Sequence, residues 1–207
     1  MHALPDPDNV VRRPCTAFDG TRWIASGPLR QVALKAKSLV DRHPSSSVLI
    51  FDDNTSDVID VDYRGSAREV ARRLEEKSAA VRPAPAQSDP ATDRGPGRPR
   101  LGVVAREVTL LPRHWLWLSG QPGGASVALR RLVDDARRAN VGRDRVRRSQ
   151  EVAYRFMSAM AGNQPGFEEA IRALFRGDRE RFEEQVAGWP PDVSAHTKKL
   201  ADGAFSQ

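Results

Sequence analysis

Five aspartates fall within eleven residues: Asp52, Asp53, Asp57, Asp60 and Asp62. Carboxylate oxygens are what hard cations take, and side chains at alternate strand positions point the same way, so Asp60 and Asp62 could share an ion. The run lacks the calcium-binding helix-loop-helix pattern, and no histidine or lysine stands near it in sequence to act as a partner. A solvated acidic strand face accounts for it more simply. The single Cys15 has no internal disulfide partner, and four scattered histidines give no metal-ligand spacing. His114, beside Trp115 on an amphipathic helix, reads as a packing or surface residue. No nucleophile elbow, phosphate loop, zinc pattern or Ser/His/Asp arrangement is legible. The chain is therefore not read as an enzyme, and no metal or cofactor is expected.

The second chemistry on offer is anion binding. The net charge of +6 is unevenly distributed: residues 91–150 hold 13 basic and 5 acidic side chains, and every one of those cations is arginine. Residues 1–90 balance at 13 of each, and residues 151–207 hold 7 basic against 9 acidic. A concentrated guanidinium field is the footprint of a phosphate-binding surface, although a solvated helix face can carry the same run.

The elements that must carry these residues follow from patterning, and the fold class they imply is α+β. After a flexible N-terminus (residues 1–13), residues 14–77 read as a ββαββα unit, a small sheet with helices on one side. "CTAFDG" and "TRWIASG" pair through a tight turn at Asp19-Gly20. "PLRQVALKAKSLVDR" is a helix with Leu29, Val32, Ala33, Ala36 and Val40 on one face. "SSVLIFDD" and "VIDVDY" are two further strands, and in the latter Val58, Asp60 and Asp62 alternate with Ile59, Val61 and Tyr63. Ser66 and Glu69 then have capping-box spacing at the start of a second helix. Residues 78–100 are rich in Pro, Ala, Gly and Ser and read as a disordered basic linker, because such a segment cannot bury enough apolar surface to offset its ordering entropy. Residues 143–203 read as a C-terminal helical region: one long helix ending near Gly162, two shorter ones divided by Gly177, and a last one after Pro190-Pro191.

Residues 101–142 hold the arginine field's most informative part. "AREVTLLP" is a strand ended by Pro112, and "RHWLWLSGQ" a helix on which Trp115 and Leu118 share a face. Gly123 and Gly124 turn the chain, Ser126 caps a second helix, and Leu129, Leu132, Val133 and Ala136 form its apolar stripe. Arg130, Arg131, Arg137 and Arg138 lie off that stripe. One strand and two helices do not enclose a core, whereas two copies can. Residues 105–138 resemble the ribbon-helix-helix element of bacterial repressors in order and spacing. That resemblance implies a homodimer whose paired strands enter the major groove, with Thr109 and either Glu107 or Leu111 turned outward. Arg106, on the other strand face, also counts among the nucleic-acid-binding residues. It also implies that the backbone N–H groups of Gly124, Ala125 and Ser126 hold a phosphate, with Arg130 and Arg131 nearby. Glu107 would repel phosphate and Leu111 offers only an apolar contact, so the outward set departs from the basic and amide residues that read bases.

Upstream, "RGPGRPR" resembles the AT-hook, a minor-groove arm. Its Pro96-Gly97-Arg98-Pro99 core lacks the hook's first arginine but is flanked by Arg94 and Arg100, and an extended basic linker would look the same. The whole chain is similar to the bacterial family known as domain of unknown function 2239. That likeness is carried by "CTAFDGTRWIASG", "VLIFDD", "LGVVAREVTLLPRHWLWL", "GGASVALRRLVDDARR" and "AYRFMSAMAG", and it implies no activity.

The expected function is that of a DNA-binding transcriptional regulator acting as a dimer, with the N-terminal unit sensing or docking an unknown protein partner. A non-enzymatic interaction module, using the same hairpin to dimerise or to dock an acidic partner, is the alternative. No run approaches the roughly 20 apolar residues that cross a bilayer, and the N-terminus has no secretion-signal pattern, so a cytoplasmic location is expected.

Overall fold

In the computed structural model, which describes residues 13–80 and 106–206, strand β1 (Pro14–Asp19) buries four consecutive residues, Cys15, Thr16, Ala17 and Phe18. Alternating strand side chains give that pattern only when both faces of a sheet are covered. β1 is the centre of a three-stranded antiparallel sheet of order β2-β1-β3, with β2 spanning Arg22–Pro28 and β3 spanning Val48–Asp52. The hairpin expected at Asp19-Gly20 is present. Gly20 takes the left-handed φ of +57° that such a turn requires.

The described residues fall into two compact units: residues 13–80 with 142–206, and residues 106–141. In the first, helix α1 (Leu29–Arg42) and helix α2 (Ala67–Ala80) cover one face of the sheet. Cys15, Ala17 and Ile50 look that way, into a core with Val32, Ala33, Ala36, Val70 and Leu74. The other face carries Phe18 and Phe51, which join Phe156, Met157, Leu174, Phe182, Val186 and Val193. Those residues come from the end of a long helix α4 (Gly124–Met160) and from α5 (Phe167–Arg176), α6 (Arg179–Val186) and α7 (Pro191–Ala201), which a 3-10 turn (Asp202–Phe205) follows. The centre of this layer is aromatic. Phe18 lies 5.4 Å from Phe156, and Phe51 meets Phe156 edge-on at 5.1 Å. Each such pair adds about 0.5–1.5 kcal/mol beyond its burial.

The α+β class holds, with two corrections within it. Helices cover both faces of the sheet, because "VLIF" is apolar continuously and has no polar face to leave in water. The fourth strand, residues 58–63, is reduced to one bridge between Phe51 and Val58. Its alternation is real, since Val61 is buried and Ile59 and Tyr63 pack on the same core. Beyond Ile59 the backbone turns from β3 to Arg73, whose Nη2 donates to the carbonyls of Asp62 (2.9 Å) and Arg64. Once a guanidinium satisfies those acceptors, no strand partner is needed.

The capping box at the start of α2 is present: the Ser66 amide donates to Glu69 Oε2 (2.7 Å) and the Glu69 amide to Ser66 Oγ (3.3 Å). The predicted N-terminus, apart from Arg13, and the predicted linker from residue 81 onward lie outside the described residues. Residues 78–80, assigned to that linker, form the last turn of α2.

One buried group makes the fold sensitive to acid. His196 on α7 packs its ring against Phe156 at 4.6 Å and Phe18 at 5.5 Å. Its Nε2 has no partner among the described residues. Burial pushes its pKa from the ordinary 6.5 down to about 4, although Asp53 pulls upward. The folded state holds the neutral ring, so its contribution is complete above pH 6.5 and fades as pH falls toward about 4. The linked loss reaches about 3 kcal/mol at the low end. Urea unfolding of the wild type should weaken between neutral pH and pH 4 to 5, while His196→Phe, which has no proton to bind, should show a flatter profile. Equal slopes for the two proteins would refute this account.

Candidate nucleic-acid interface

Among residues 106–141 only Leu118 and Ala128 are buried. The predicted strand is not a strand in the single chain. Arg106, Glu107, Val108 and Thr109 are exposed, Leu110 is half-buried, and Leu111 enters the next helix with extended φ and ψ of −66° and 150°. A strand exists only through a partner's N–H and C=O groups, and the described residues offer this segment none.

Helix α3 (Pro112–Ser119) begins at Pro112, whose fixed φ suits a first helical position. Its buried residue is Leu118, while Trp115, which was expected on the same face, is 40% exposed, with Leu116 at 80% and Trp117 at 53%. The turn after it depends on glycine. Gly123 and Gly124 have φ of +80° and +74°, and a Cβ on Gly123 would sit 3.1 Å from Cβ of Val127.

The second helix differs from expectation at both ends. It starts at Gly124, so Ser126 is not its cap but its third residue, and the Ser126 side chain points to the basic face. Arg130 donates from Nε to the Ser126 carbonyl (3.1 Å) and from Nη2 to Ser126 Oγ (3.2 Å). At its other end the helix passes through Gly142 without a break and runs on to Met160. No proline lies between residues 124 and 160, and one interior glycine costs only about 1 kcal/mol against alanine.

Along this helix the predicted apolar stripe is largely uncovered, with Leu129 half-buried. Leu132 and Val133 are 44% and 56% exposed, and Val127 and Val141 are exposed as well. The arginines divide into two sets. Arg137 lies 3.7 Å from Asp134, and Arg138 pairs with Asp135. Arg106, Arg113 and Arg131 meet no carboxylate among the described residues, and Arg130 engages only Ser126. Further along, Arg143, Arg145 and Arg148 also meet no carboxylate among the described residues, while Arg130 and Arg131 stand uncommitted near the helix start. There Gly124, Ala125 and Ser126 lie in the first turn, whose amides have no carbonyl four residues back inside the helix. The Gly124 amide already donates to the Gln121 carbonyl at 2.9 Å, so the Ala125 and Ser126 amides, the helix dipole and Arg130 are what a phosphate group could meet there. Arg94, Arg98 and Arg100, the proposed arm, lie outside the described residues.

Four of the five aspartates that suggested a cation site are engaged by the protein itself, while Asp60 is exposed with no partner among the described residues. Asp52 pairs with Arg13 at 3.1 Å and accepts from the Asn54 amide at 2.8 Å. Asp53 accepts from the Thr16 hydroxyl at 2.7 Å. Asp57 pairs with Arg155 at 3.0 Å. Asp62 takes two guanidinium contacts from Arg64, which hold its carboxyl well below the usual range. Cys15 is no nucleophile: burial, then Asp52 and Asp53, push its thiol up to about 12. His196 was not singled out in the sequence, since its apolar surroundings are created by residues far away in the chain.

With this geometry in hand, comparison with known proteins adds a family and nothing finer. Residues 14–201 match a family described as an uncharacterized protein conserved in bacteria. No curated protein and no solved structure matches the chain.

The glycine turn yields a direct test. Gly123→Ala must hold a left-handed φ at a cost of about 1–2 kcal/mol and press on Val127. Amide exchange over residues 124–130 should speed up while exchange in β1 stays unchanged. Unaltered protection at 124–130 would show that the turn does not depend on Gly123.

Proposed function

The chain belongs to the DUF2239 family of uncharacterized proteins conserved in bacteria, and from its own residues we propose that it is a DNA-binding homodimer that regulates transcription. The observation that carries this reading is the uncovered stripe of Leu132 and Val133 next to an unpaired, strand-length segment, residues 106–111. Apolar area left in water costs about 25 cal/mol per Å². A second copy supplies what both features lack: an antiparallel partner for residues 106–111 and an apolar face for the helix. Pairing would also bring together two copies of Thr109, Arg130 and Arg131, where phosphates offset the arginines' mutual repulsion.

Base readout would rest mainly on Thr109, since Glu107 and Leu111 match base edges poorly. Phosphate contacts therefore dominate the expected affinity. A second reading, a dimeric module that docks an acidic protein, draws support from the same Glu107, which disfavours DNA at the strand.

A mobility-shift salt series on mixed-sequence duplexes distinguishes the two. Neutralising about six phosphates should give a slope of log K against log salt of about −5. Arg130→Glu combined with Arg131→Glu should abolish the shift and leave the oligomer intact. Absence of binding at about 50 mM salt, where non-specific contacts are strong, would overturn the DNA reading and favour the docking module.

A further inference from the structure

Beyond the hairpin, the unit that contains the sheet carries a groove of different character. It lies between the start of β2 and the second half of α1, has a volume of about 440 Å³, and is open to solvent. Lys35, Ser38 and Arg42 line it from α1, where spacings of three, four and seven residues put them on one helix face. Arg22 lines it from β2, Ile24 and Leu39 give it an apolar floor, and Trp23 completes the rim. Its size falls within the roughly 300–1,000 Å³ range of small-molecule sites.

The charge of this groove is not a by-product of composition. Residues 1–90 carry 13 basic and 13 acidic side chains, yet three cations and no carboxylate line it. The groove between α1 and α2 shows the contrast. Arg30, Arg68 and Arg72 share its walls with Glu69 and Glu75, and Arg30 pairs with Glu75 at 3.2 Å. Two carboxylates stand beside the cationic groove without lining it. Asp19 is 3.9 Å from Arg22, and Asp192 accepts the Trp23 amide at 2.8 Å. Arg42 is held in place by its Nε, which donates to the Ser38 carbonyl at 2.9 Å, and Lys35 meets no carboxylate among the described residues.

We propose that this groove binds a small organic phosphate, its phosphoryl group held by Arg22, Lys35 and Arg42 and its apolar part resting on Ile24 and Leu39. Three converging cations repel one another until an anion joins them, and a dianion gains more from them than a carboxylate does. The apolar floor gives an organic phosphate an advantage over inorganic phosphate. The site is independent of the proposed DNA surface, so either can fail without the other.

The test is a titration of the full-length protein followed by amide NMR shifts, with phenyl phosphate as the probe and inorganic phosphate and benzyl alcohol as controls. Phenyl phosphate should give saturable shifts at residues 22–24 and 35–42 with Kd below about 1 mM, with both controls weaker. Lys35→Gln with Arg42→Gln, both on an exposed surface, should weaken it by at least about tenfold while the remaining spectrum stays folded. No saturation by about 10 mM, or equal affinity in the double variant, would overturn the proposal. So would shifts at these residues caused by duplex DNA and not by phenyl phosphate, because the groove would then be part of a nucleic-acid surface.

Discussion

An apolar helix face must be covered by something, and residues 106–141 do not contain enough chain to cover theirs. Two helices and one extended segment bury only Leu118 and Ala128 within that unit. Everything proposed about this region follows from that shortfall. A hairpin with its own core would need no partner, and its arginines would be ordinary surface residues. In the proposed reading, a hairpin without one completes itself by association, and association doubles whatever charge it displays.

The rest of the chain shows the opposite condition. The three-stranded sheet is covered twice, by α1 and α2 on one face and by the C-terminal helices on the other, so β1 has no polar side at all. At its centre a buried polar group is bonded locally. The Thr16 hydroxyl donates to Asp53 and shares a hydrogen bond of 2.9 Å with Ser26. His196 Nε2, like Ser56 Oγ and Thr197 Oγ1, has no partner among the described residues, and its neutral ring between two phenylalanines reports on acid.

The parts of this structure that were legible in the sequence are those decided by neighbours along the chain. Asp19-Gly20 announced a hairpin, Ser66 and Glu69 a capped helix start, and Gly123-Gly124 a left-handed turn, because each rests on contacts a few residues apart. The apolar stripe at Leu129, Leu132, Val133 and Ala136 was equally plain. What it packs against was not, since a stripe names no partner. The fourth strand failed for a related reason. The alternation at residues 58–63 does place Val61 inward, but Arg73 takes the carbonyls of Asp62 and Arg64, eleven and nine residues away from it. Likewise, the break expected between the basic helix and the next one is absent, because a lone Gly142 is too weak an interruption to stop a helix with no proline. The cationic groove is not legible in the sequence because Arg22 lies on β2 and joins Lys35 and Arg42, which share a face of α1, only once strand and helix pack.

Sedimentation equilibrium of the full-length protein tests the central claim most directly, because it asks whether the uncovered face finds a second copy of itself. At micromolar concentration the wild type should sediment at twice the chain mass, and Leu132→Glu with Val133→Glu should return it to a folded single chain. A wild-type protein that remains a single chain across that range would contradict the account.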